Sequence, residues 1–336
     1  MKSNKITSLL IFVISLTIAN NSYSQEYKTS KRPDNHAPIG VMRDHIHKKG
    51  EIMTSYRFSY MKMKGLRNED NKVSTSDALS RYIVAPTKMT MKMHMIGAMY
   101  GITDQLTLSA MGSFVEKNMD HIHRATGEFN RETDDIGDTK INALYEFYNK
   151  DANRFQFNLG LSLPTGNIDK KYDGTRLPYP MQIGSGSYEL LPGISYSGHQ
   201  DNLSYGGQIN GIFRLNTNDN GYKLGDQYNI TSWVARKLNN SFSVLSRLDY
   251  NKNEAIEGRD SSLDKMVNMN MNPTAKTSLQ DQERLDLLFG VNFLMQKGFL
   301  EGNRLAVEFG APIYQRIDGP MLENDYKITI GWQNKF

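Results

Sequence analysis

The sequence predicts an all-β fold: an antiparallel transmembrane β-barrel of about twelve strands, with short periplasmic turns and long extracellular loops. Three observations predict it. One apolar run, Ile6 to Ala19, follows Lys2 and Lys5 and has the length and flank of a secretory leader rather than a membrane helix. The rest of the chain alternates apolar and polar residues with period two. The links between alternating segments are short and long by turns, as an outer-membrane barrel requires.

Composition agrees. Forty Lys and Arg against 36 Asp and Glu leave a net charge of +4, too mild for a nucleic-acid binder. A mean hydropathy of -0.56 excludes a bundle of membrane helices. The absence of cysteine removes disulfides, thiol catalysis and thiolate metal sites. The 14 Phe, 18 Tyr and 2 Trp suit a barrel, in which only alternate residues need be apolar.

In chain order, residues 1–24 read as a cleaved signal peptide. Ser22 and Ser24 put small residues at -3 and -1 of a cut before Gln25. Residues 25–50 are polar with two prolines, and either hang in the periplasm or enter the lumen as a plug. Residues 51–336 form the barrel. Strands are expected near 51–64, 88–102, 105–118, 136–149, 154–166, 187–199, 203–216, 222–238, 241–252, 281–296, 303–315 and 325–336. Thr103-Asp104, Lys150 to Asn153, Gln200 to Asn202 and Asn239-Asn240 are the tight turns. Residues 65–87, 119–135, 167–186 and 253–280 are the long polar loops, the last read as mobile and external. Phe336, behind aromatics at alternate positions, looks like the terminal signal bound by the barrel-assembly machinery of the outer membrane.

The polar strand faces carry Arg57, Glu146, Glu189, Arg214, Arg247, Asp249, Asp286 and Glu308. An Arg or Lys facing lipid at mid-depth would cost roughly 2–4 kcal/mol, so these faces line the lumen, with Met99 and Met111 beside them.

Eleven of the 18 methionines fall between Met42 and Met119, and six of the seven histidines between His36 and His123. Met89, Met91, Met93 and Met95 share one strand face. The phase set by Ile96, Ala98 and Tyr100 turns that row into the lumen, with Met61 and Met63 of the first strand beside it. Thioethers suit Cu(I), and imidazole suits copper generally. Asp-His-Ile-His occurs twice, contributing His45 and His47 on the periplasmic side and His121 and His123 in an extracellular loop. One reading is a Met and His path for Cu(I). The other is apolar packing, since Met is a flexible filler and a one-residue slip turns the row to lipid.

Several patterns resemble one family. They are His36 to Met42, Gly101-Ile102-Thr103-Asp104, Ile136-Gly137-Asp138, Leu163-Pro164-Thr165-Gly166, and Leu177 to Gln182 with Gly184-Ser185-Gly186 behind it. Together they are similar to the transporter-like outer-membrane proteins of the MetA-pathway phenol-degradation family. The resemblance implies a barrel with a transport role. No Gly-x-Ser-x-Gly or His-Glu-x-x-His is present, so no catalytic residues are assigned. Gly184-Ser185-Gly186 reads as a flexible re-entry point. The expectation is a Gram-negative outer-membrane barrel passing a small solute, with lipid and solute or metal ion as partners. No resident cofactor is expected beyond a candidate Cu(I). A copper-export barrel, or a closed barrel that binds without conducting, are the alternatives.

Overall fold

The computed structural model describes residues 32–335. The expected leader at 1–24, residues 25–31 and Phe336 lie outside the described residues. Eleven strands close into one antiparallel ring. They are β1 (Ile52–Glu69), β2 (Val84–Gly101), β3 (Leu106–His123), β4 (Thr139–Lys150), β5 (Asn153–Leu163), β6 (Gly193–Gln200), β7 (Leu203–Arg214), β8 (Gln227–Lys237), β9 (Phe242–Asn253), β10 (Gln282–Leu294) and β11 (Arg304–Lys335). Each pairs with its chain neighbours, and β11 pairs back onto β1.

The 32-residue β11 crosses twice. Its first half pairs with β10 from Leu294↔Arg304 to Gln282↔Ile317, and its second half with β1 from Glu69↔Ile317 to Met53↔Lys335. The barrel therefore makes twelve passes. Closure leaves no sheet edge, which lipid demands because it offers the backbone no hydrogen bonds.

The period-two pattern resolves into an outer and an inner face. Ile96 is 70% exposed and its neighbour Met95 only 4%. Tyr100, Leu108, Ile141, Leu159, Val234, Val291, Phe309 and Ile330 likewise face outward. Arg57, Glu146, Glu189, Arg214, Arg247, Asp249, Asp286 and Glu308 are all buried on the other face.

Two loops differ from the sequence expectation. Residues 119–135 are not a polar loop, because β3 runs on to His123 and pairs with a further strand, Gly127–Ile136. His121 and His123 therefore belong to a strand end. Hydrogen bonding to a neighbour overrides the polar composition that suggests a loop. Residues 253–280 are not structureless either. They carry short helical turns, and Ile83 and Val84 donate backbone hydrogen bonds to Asn270 and Met271. Ile256 and Leu263 of this loop bury themselves with Tyr179 and Tyr222 from two other loops.

Candidate functional site

Chain folds into the lumen from both ends. From the end where β1 starts, residues 32–50 thread into the ring. Their carbonyls are held by side chains spaced around the wall. Arg304 donates to Ala37 (2.8 Å), Arg57 to Ile39 (3.2 Å), Gln208 to Met42 (2.9 Å) and Gln156 to Arg43 (2.6 Å). The His47 amide donates to Thr107 Oγ1 at 2.8 Å. Ala37 and Val41 pack on Trp233. At Gly40 a Cβ would lie 2.5 Å from both Arg247 Nη2 and Glu308 Oε1, so any larger residue there must push that ion pair aside.

Arg247 is the centre of the charged wall. It pairs with Glu308 through Nε at 3.0 Å and with Asp249 at 3.1 Å, all three buried. Glu189 pairs with Arg214 at 3.0 Å and Asp286 with Arg284 at 2.9 Å. Glu146 accepts from Asn149 at 2.8 Å. Arg247, Asp249, Glu308, Glu189, Arg214 and Asp286 thus have charged partners, while Glu146 and Arg57 bond neutral groups.

From the other end, residues 164–192 turn into the lumen. Asp138 anchors the turn. It accepts from the Gly166 amide (2.9 Å), the Ser185 amide (2.9 Å) and the Ser185 hydroxyl (2.7 Å). A Cβ on Gly184 would lie 2.2 Å from the Gly166 carbonyl oxygen, so the two segments meet backbone to backbone. The Gly-Asp, Pro-Thr-Gly and Gly-Ser-Gly elements, scattered in sequence, therefore converge at one point. Gly184-Ser185-Gly186 is a clamp here, not a flexible re-entry. Beyond it, Leu177 to Gln182 is pinned by the Lys117 ammonium, which donates to the carbonyls of Pro180 (2.8 Å) and Gln182 (2.5 Å). Lys117 and Asp138 carry this lid, and the sequence reading assigned a role to neither. Gly137-Asp138 is visible as a motif, but its partners lie in loops that only the fold brings near.

Against the lid lies a cavity of about 550 Å³. Met61, Met63, Met89, Met91, Met93 and Met119 line one side, and Gln227, Asn251, Asn253, Glu254, Gln282 and Arg284 the other. The register places Met61 opposite Met91, and Met63, Met89 and Met119 in one row across β1, β2 and β3. Leu177 and Met181 of the lid pack on Met89 and Met119. Met95 is buried below this cavity, opposite Arg57. Met99 and Met111 line a smaller space of about 80 Å³ against Arg43, Asp44 and His45 of the plug.

The histidines do not form one path with these thioethers. His45 and His47 lie in the plug. His121 stacks on Phe129 with ring centroids 4.9 Å apart, and His123 Nδ1 accepts from the Ala125 and Thr126 amides. His36 and Asp44, which the sequence reading left out of the ligand set, sit against His45. Burial holds the His36 imidazole well below its ordinary pKa and brings that of His47 down to about 3, so both are neutral near pH 7. Burial opposes the charge of Asp44, but His45 beside it outweighs this and keeps its carboxyl low. In the outer loops burial pushes the Tyr222 hydroxyl up to about 12.

A crystal structure of the COG4313 outer membrane channel from Pseudomonas putida F1 has this fold. It matches with a TM-score of 0.62 at 13% identity, over 86% of this chain and 97% of that one. The KdgM porin matches more loosely, with a TM-score of 0.40 at 11% identity over 84% and 99% of the two chains. The transport unit of the autotransporter AIDA-I from Escherichia coli gives 0.43 at 9% identity over 98% and 97%. No curated protein matches the chain. Residues 82–309 match the model of the family described as "Putative MetA-pathway of phenol degradation". They include the convergent Gly-Asp, Pro-Thr-Gly and Gly-Ser-Gly elements and the lid they hold, and the chain belongs to that family.

Proposed function

We propose that the barrel passes a small amphipathic organic solute across the outer membrane, through the cavity against the lid. The two-sided lining carries this reading. Thioethers are polarisable and attract aromatic faces, at roughly 0.3–1.5 kcal/mol per contact. The amide and charged groups opposite can bond a hydroxyl or carboxylate. A ring bearing one polar group satisfies both walls, and the phenols named in the family's description have that form. A sugar of equal size would leave the thioether wall unmatched.

The test is flux into liposomes holding the refolded barrel. 4-Hydroxybenzoate should enter faster than a sugar of similar size. Changing Met61, Met89 and Met91 to Asn should lower that preference several-fold while sugar entry stays the same. Equal rates set by size alone would sink the proposal.

A second reading rests on the register of Met61 with Met91 and of Met63, Met89 and Met119. Three thioethers at such spacing could hold Cu(I). Titration with Cu(I) against a competing chelator should then give tight binding that vanishes when Met61, Met63, Met89, Met91 and Met93 all become Leu. Unchanged binding, or none in either protein, would return the row to packing.

A further inference from the structure

A second group of ligand-type side chains lies in the plug, away from the methionine cavity. His36, Asp44 and His45 each offer one ligand atom, and these atoms lie within 4.8 Å of one another. His36 Nδ1 is 3.3 Å from His45 Nδ1, which is 2.9 Å from Asp44 Oδ1. The His47 ring stands edge-on to that of His45, centroids 4.9 Å apart. His45 is 8% exposed and His47 3%, and the Nε2 of each is buried with no hydrogen-bond partner.

Hydrogen bonding alone serves this group poorly. His45 Nδ1 holds at most one proton, so it cannot serve its contacts with Asp44 Oδ1 and with His36 Nδ1 as hydrogen-bond donor to both. The nearby cations do not relieve this. Arg304 donates to Ala37, Asn292 and Gln333, Arg57 to Ile39 and Ser55, and Lys335 pairs with Glu51. Asp44 also accepts from the Ala37 amide at 2.9 Å, which ties the two ends of the Ala37–Asp44 turn together.

We propose that His36, Asp44 and His45 bind one divalent transition-metal ion, Zn(II) or Cu(II), which fastens the plug in its folded form. Two imidazoles with a carboxylate are a donor set for these borderline ions rather than for Cu(I), Mg(II) or Ca(II). His47 is near enough to add a fourth donor by turning its ring. The ion would cross-link the chain on either side of Pro38 to Arg43, whose carbonyls the wall side chains hold. The site does not depend on whether the methionine row takes a metal.

The experiment uses the untagged full chain, refolded in detergent and stripped with chelator. Zn(II) and Cu(II) are titrated against a competing chelator, and the Cu(II) form is examined by electron paramagnetic resonance. One ion per chain is expected, with hyperfine coupling to at least two imidazole nitrogens. His36→Gln with His45→Gln should lose that coupling. Its affinity should fall by more than the roughly 100-fold that loss of a merely orienting neighbour costs. Asp44→Asn should weaken binding without removing the coupling. His121→Gln with His123→Gln should change neither. Heat-modifiable gel migration checks that each variant has a folded barrel, which the plug residues do not build. Absence of a bound ion in the folded wild type would overturn the proposal. So would binding or coupling that survives the His36 and His45 changes, or that is lost only with His121 and His123.

Discussion

Arg247 shows how a single residue keeps a charged lumen tolerable. Its guanidinium reaches Glu308, Asp249 and Thr231, and Gly40 of the plug presses against the Arg247–Glu308 pair. Removing one partner of such a pair strands the other in a low-dielectric interior. Arg247→Ala should therefore cost about 3–5 kcal/mol, read from urea unfolding of the barrel in lipid. Replacing both members with apolar groups, Arg247→Met with Glu308→Leu, should recover most of that loss, because no unpaired charge remains. An additive double mutant would show that the pair does not act as a unit. The residue identities were legible from alternation alone. Their pairing was not, since partners such as Arg247 and Glu308 are far apart in the chain and meet only through the register.

At the scale of elements, strands were readable and loops were not. Alternation located every pass, because each face has one solvent and a slipped register would expose the wrong set. The phase carried from Ile96, Ala98 and Tyr100 also turned Met89, Met91 and Met93 inward, where the structure has them. Loops have no such period. Tyr179, Tyr222, Ile256 and Leu263 come from three loops, and nothing in their local spacing announces a shared cluster. The lid has the same origin, for Asp138 holds two segments that begin 28 and 47 residues away. Asp138→Ala strands three donors at once, so the lid should loosen while the strands stay paired. Limited proteolysis of the folded barrel should then cut within residues 164–192, where the wild type resists, with no change in heat-modifiable migration. Continued resistance would mean that Lys117 and the Leu177–Met181 packing hold the lid without Asp138.

For the whole molecule, plug and lid are two constrictions in series, which makes a definite demand on conductance. On the proposed reading a solute passes both, so their resistances add and the narrower dominates. Freeing one leaves the other limiting. The plug is held partly by Gln156 and Gln208, the lid by Lys117 on the carbonyls of Pro180 and Gln182. Each of these is a side chain bonding a main-chain carbonyl, typically with a net worth of about 0.5–1.5 kcal/mol and more for a charged donor. Loosening by that amount raises the time-averaged permeability of one constriction up to roughly tenfold without unfolding the wall. Gln156→Ala with Gln208→Ala should therefore change single-channel conductance little, and so should Lys117→Ala. The triple variant should exceed the product of the two separate effects. Planar-bilayer recording tests this directly. A large increase from the plug changes alone would mean that the lid never closes the path. A triple variant whose gains merely add would mean that plug and lid obstruct separate routes. A gain above the product is what two resistances in series require, because each variant alone leaves the other resistance in place.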